Sequence, residues 1–127
     1  MIRPTLLNAI ARILLGLILL AGGLMIFIMS SPPAMPGLVG QFNVIFNESH
    51  WAWFVAAAQV VAGMLFLANR YVPVALIIAA GFLYNSFAFH ITMLPPTVVI
   101  PIVVTALWLL AAWPYRALFA PLFQPKP

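Results

Sequence analysis

The sequence predicts an all-α integral membrane protein: an antiparallel four-helix transmembrane bundle with a short outer interfacial helix between the first and second spans. Three observations carry this. The 127-residue chain is 66% hydrophobic and 5% charged, with mean hydropathy +1.19. A soluble domain of this size could not hide so much apolar surface. Its apolar residues fall into four runs, near 6–29, 51–68, 72–94 and 98–117, and spanning the hydrocarbon takes about 20 residues per helix. Finally, if each run crosses once, the five basic residues Arg3, Arg12, Arg70, Arg116 and Lys126 share one side and the single acid, Glu48, takes the other. The positive-inside rule then puts both termini in the cytoplasm. The four crossings use most of the chain, so 1–127 is one transmembrane domain.

The first span follows Arg3 and is too long for the apolar core of a signal peptide. No A-x-A site follows, so it reads as an uncleaved span. Ser30-Ser31-Pro32-Pro33 breaks it. In the link beyond, Leu38, Val39, Phe42, Ile45 and Phe46 recur at helical spacing, as for a short helix lying in the outer interface. Trp51 and Trp53 open the second span at the outer headgroup level, and Tyr71, Trp113 and Tyr115 mark the inner one. Asn69-Arg70-Tyr71 is a tight turn, with Pro73 suited to the first turn of the third span. Pro95-Pro96 is an equally tight turn on the outer side. Links this short make successive spans antiparallel neighbours.

The chain has no cysteine, which excludes disulfides and thiolate-held zinc or iron–sulfur clusters. The pI near 10.4 arises from few charges rather than a basic stripe, so nucleic acid is not an expected partner. The lipid bilayer is, with anionic headgroups against the basic side.

Polar residues inside the spans are few, so each is a candidate. Gln59 is flanked by Ala56, Ala62 and Gly63, and Asn85 shares a face with Gly81, Ala88 and Thr92. Small residues admit close helix approach, so Arg12, Gln59 and Asn85 are expected to point into the bundle. At ~1.5 Å per residue, Gln59, Asn85 and Thr105 sit roughly 12–14 Å below the outer edge. They could form one layer, either as hydrogen bonds between helices or as the polar floor of a pocket for a quinone or other lipophile. Arg12 could snorkel to lipid phosphate, or meet an anion or an acidic residue of another subunit. His90 lies one turn from the outer end of the third span, on a different face from Asn85. It reads as a neutral imidazole near the interface, or as a ligand to a bound group. No catalytic set and no metal site is visible. Ala9, Gly16 and Gly23 in the first span, and Ala75 and Ala79 in the third, make two close-packing stripes, of which one should be spare for a neighbouring subunit.

These residues resemble a family. The first span reads Arg12-Ile-Leu-Leu-Gly16 onward to Gly22-Gly23. The second and third carry Gln59-Val-Val-Ala-Gly63, Asn69-Arg70-Tyr71-Val72-Pro73 and Asn85-Ser-Phe-Ala-Phe-His90. The fourth ends Ala112-Trp113-Pro114-Tyr115-Arg116, followed by Pro121-Leu122-Phe123. From about Arg12 to Phe123, in order and spacing, this is similar to the DoxX-like membrane proteins. The resemblance implies a four-helix bundle associated with redox complexes, including thiosulfate–quinone oxidoreductase subunits and assemblies that support oxidative-stress enzymes. It also shows departures. Many relatives carry Glu where this chain has Gln59 and an acid about where it has Trp108. Met25 and Met29 replace polar residues. The bundle so lacks an acid for proton transfer.

The expected function is that of a non-catalytic accessory subunit of a larger membrane complex, redox or energy-converting, in a bacterial cytoplasmic membrane. The alternative is a quinone- or lipophile-binding subunit of an oxidoreductase, with Gln59, Asn85, Thr105 and His90 at the ligand and Arg12 at an anion or partner.

Overall fold

The computed structural model describes residues 3–29 and 33–126. The expected break at Ser30-Ser31-Pro32 lies outside the described residues. The helices are α1 (Leu6–Ile28), α2 (Gly37–Glu48), α3 (Trp51–Ala68), α4 (Val72–Met93), α5 (Val99–Ala112) and α6 (Arg116–Phe119), with 3-10 turns at Pro95–Thr97, Trp113–Tyr115 and Ala120–Phe123. Four segments are long and apolar enough to cross a membrane: α1, α3, α4 and the continuous stretch Pro95–Phe123. The fourth therefore runs on past residue 117 as short helical turns.

Local chemistry explains the ends. Thr5 and Asn8 form a capping box: Thr5 Oγ1 accepts from the Asn8 amide at 3.3 Å, and Asn8 Oδ1 accepts from the Thr5 amide at 2.9 Å. α3 closes in a Schellman motif, with the Arg70 amide donating to Leu65 O and the Asn69 amide to Phe66 O. Asn69 takes the left-handed conformation this needs (φ 53), and Tyr71 repeats it (φ 51) to start α4. Asn tolerates that region; for Tyr it carries strain of about 1–3 kcal/mol.

The bundle is a ring in which α1 packs on α3 and α5, and α4 closes the other side against the same two helices. The α1–α3 contact is the closest. A Cβ on Gly63 would stand 2.7 Å from Leu20 N and 2.8 Å from Gly16 O, and one on Gly23 would stand 2.7 Å from Ala56 O. Backbone meets backbone there, so only glycine fits. The core joins Leu15 and Leu19 of α1, Ala62 and Phe66 of α3, Leu76, Ala79 and Leu83 of α4, and Val104 and Ala111 of α5. Both small-residue stripes are thus used inside: Gly16 and Gly23 against α3, Ala75 and Ala79 in the core. This corrects the expectation that one of them was spare.

α2 is the short helix expected between the first two spans, but it does not present its apolar stripe as one face. Phe42 and Phe46 stack on each other at 5.1 Å and meet Trp51, and Phe42 also meets Phe89 at 5.4 Å. Val39 is buried, Phe42 and Phe46 are half-buried, and Leu38 and Ile45 face outward. α2 therefore lids the ends of α3 and α4 through aromatic contacts.

Candidate functional site

At the end of the bundle that carries the basic residues, three side chains bond to backbone carbonyls of neighbouring helices. The Asn8 amide nitrogen donates to Leu110 O at 2.7 Å. Four residues on from Leu110 stands Pro114, which has no N–H, so α5 cannot satisfy that carbonyl itself. Arg12 donates from Nη1 to Phe66 O, adding a cation to the C-terminal carbonyls of α3, where the helix dipole is negative. Trp108 Nε1–H donates to Leu76 O at 2.9 Å, tying α5 to α4. Asn8, Arg12 and Trp108 thus act as cross-helix ties. Arg12 meets a protein carbonyl through one of its five N–H donors. Where the resemblance puts an acid, Trp108 makes a hydrogen bond that a carboxylate, an acceptor, could not make. The sequence signal for Asn8 was available: Thr-x-x-Asn at a helix start together with a proline near the end of the last span.

The expected layer of Gln59, Asn85 and Thr105 does not assemble. Gln59 is buried, with its carboxamide over Gly22 of α1. Gln59 Oε1 and Thr105 Oγ1 make no hydrogen bond among the described residues. Asn85 points the other way. It is exposed on the outer surface of α4, and its Nδ2 donates to Gly81 O one turn back, at 2.9 Å. Thr92, also exposed, does the same to Ala88 O at 2.7 Å. Gly81, Asn85, Ala88 and Thr92 do share a face, but it looks out of the bundle. The inward stripe of α4 is Ala75, Leu76, Ala79 and Leu83. Both faces are apolar or small, and neither is marked as inward by hydrophobicity when the surroundings are lipid.

His90 Nδ1 lies 2.5 Å from Thr97 Oγ1, while the Thr97 hydroxyl donates to Leu94 O at 2.7 Å. A hydroxyl has one proton to give. Given to Leu94 O, it leaves Nδ1 as the donor to Thr97; given to Nδ1, it goes with the opposite tautomer, and both hold the contact. His90 therefore staples the end of α4 to the Pro95–Thr97 turn. His50 faces Glu48 O at 3.0 Å and packs edge-on against Trp53. Among the described residues, no group of three or more His, Cys, Asp or Glu side chains comes together.

Beside the Trp108–Leu76 tie, a lateral groove of about 500 Å³ opens between α4 and the C-terminal stretch. Leu76, Ile77, Trp108, Phe119 and Phe123 form its walls, and Arg116 stands at its edge beside Trp113.

Four segments of this length and apolarity, packed as one bundle, mark an integral membrane protein of the four-helix bundle class. Comparison with protein-family models, curated proteins and solved structures finds no match to this chain.

Proposed function

We propose that this chain is a non-catalytic accessory subunit of a larger membrane complex, redox or energy-converting and DoxX-like. It works by packing against other membrane subunits in a bacterial cytoplasmic membrane, with both termini cytoplasmic. The observation that carries the reading is Asn85. It places a carboxamide at roughly 13 Å depth, on an outward stripe with Gly81, Ala88 and Thr92. A polar side chain in hydrocarbon is costly and is usually turned toward protein. Its one bond to Gly81 O uses one of two donor hydrogens and neither acceptor site on the amide oxygen. A Cβ on Gly81 would meet nothing within 4 Å, so another helix can approach α4 there closely. The side chains that could run chemistry are engaged structurally: Arg12 on Phe66 O, His90 on Thr97, and His50 on Glu48 O.

The test is the double change Gly81→Leu and Asn85→Leu. Neither residue packs inside the bundle, so the variant should fold with stability within about 0.5 kcal/mol of the parent. In gently solubilised membranes it should leave the high-mass assembly that holds the parent chain and run alone. A parent chain that already runs alone, or a purified chain that steadily turns over a quinone with a reductant, overturns the reading.

Orientation is tested separately. The parent chain is free of thiols, so single cysteines at positions 48 and 70 report cleanly. An impermeant maleimide applied to intact cells should label position 48 and spare position 70. The reverse pattern overturns the assignment of the basic side to the cytoplasm.

A further inference from the structure

We propose that the groove between α4 and the C-terminal stretch is a binding site for one anionic phospholipid, with an acyl chain along the groove and the phosphodiester on Arg116. The walls are apolar and aromatic. Leu76 and Ile77 come from the first turns of α4, Trp108 and Ala112 from the end of α5, and Phe119 and Phe123 from the turns beyond. Its volume of about 500 Å³ lies within the range of small-ligand sites, roughly 300–1,000 Å³. It opens laterally at the level where Trp113 and Tyr115 mark the headgroup boundary. Leu122 and Phe123 in its lining are 74% and 85% exposed, so none of the described residues covers that end of the groove.

Charge decides the occupant. Arg116 is held in place twice: its guanidinium lies 4.5 Å over the Trp113 ring, and Nη1 donates to Trp113 O at 3.1 Å. A guanidinium has five N–H donors in a planar fork, so this leaves a pre-oriented pair for two phosphate oxygens. The only acidic side chain of the chain, Glu48, ends α2 at the opposite end of the bundle and cannot neutralise it. Arg3, Arg12, Arg70 and Lys126 add positive potential on the same side. A neutral quinone uses the walls but not the cation. A zwitterionic lipid brings its own ammonium to a side already rich in positive charge. An anionic phospholipid matches both parts.

The experiment is native mass spectrometry of the intact protein titrated with phosphatidylglycerol or phosphatidylcholine of identical chains. One phosphatidylglycerol should bind about tenfold more tightly than phosphatidylcholine. Arg116→Gln, which alters an exposed side chain, should bring the two lipids close to parity, while Arg70→Gln should leave the preference in place. Ala112→Trp, which fills the groove, should weaken both lipids. Far-UV circular dichroism checks that each variant is folded, and the Arg116→Gln and Arg70→Gln pair decides the matter if the filled variant is not. Equal affinities in the parent chain, equal loss in Arg70→Gln and Arg116→Gln, or binding of inorganic phosphate as tight as that of the lipid would each overturn the proposal. So would preferential retention of a quinone.

Discussion

Replacing Gly63 by leucine should disrupt the bundle at its tightest seam, at a cost of at least about 3 kcal/mol. The first atom of the new side chain would fall 2.7 Å from Leu20 N and 2.8 Å from Gly16 O. Both are backbone atoms of α1, so no rotamer change relieves the clash. α1 must move away, taking Leu15 and Leu19 out of contact with Ala62 and Phe66. Gly63→Ala already adds that atom and should cost about 1–2 kcal/mol. The control is Gly81→Leu, whose Cβ meets nothing within 4 Å; it should shift stability by less than about 0.5 kcal/mol. Unfolding in mixed micelles with increasing sodium dodecyl sulfate, followed by tryptophan fluorescence, reads all three. If Gly63→Leu and Gly81→Leu unfold at the same detergent fraction, α1 and α3 do not meet as described.

Arg12→Met should cost about 1.5–3 kcal/mol, the range for a hydrogen bond to a charged group. Methionine keeps an apolar stem of similar reach but has no donor, so the cation on Phe66 O is lost. The Asn69 amide, at 3.2 Å, then remains as that carbonyl's bond within the Schellman motif. Arg12→Lys should recover part of the loss, because an ammonium supplies charge without the planar fork. Amide exchange near the end of α3 should speed up in Arg12→Met and leave the start of α3 unchanged. Parent-like stability in Arg12→Met would mean that the charge rests on lipid phosphate and contributes nothing to the α1–α3 contact.

The fold was legible almost completely, and the internal roles of polar residues were not. The run lengths, Asn69 and Pro73 at one turn, and Pro95-Pro96 at another announced the helices and their connections. The helical spacing of Leu38, Val39, Phe42, Ile45 and Phe46 announced α2. Asn85 faces opposite to the direction its small neighbours suggest, for a specific reason. Its small neighbours Gly81 and Ala88 mark a face suited to close packing, and Ala75 and Ala79 mark a second one on the same helix. The sequence offers no means of ranking them. Gln59, with Ala56, Ala62 and Gly63 around it, had no such competitor, and it is buried.

The sequence alone determined what depends on contrast with the bilayer: the number and length of the spans, the tight turns, and the gathering of all basic side chains on one side. Apolar length and charge position are set residue by residue, because water and hydrocarbon differ so strongly. Only the tertiary structure decided which face of α4 looks inward, that Arg12 meets Phe66 O, that Asn8 satisfies the carbonyl Pro114 leaves free, and that a groove forms beside Arg116. Within hydrocarbon, an apolar surface loses little by facing lipid instead of protein. The inward face is then chosen by steric fit and backbone hydrogen bonds between segments distant in the chain.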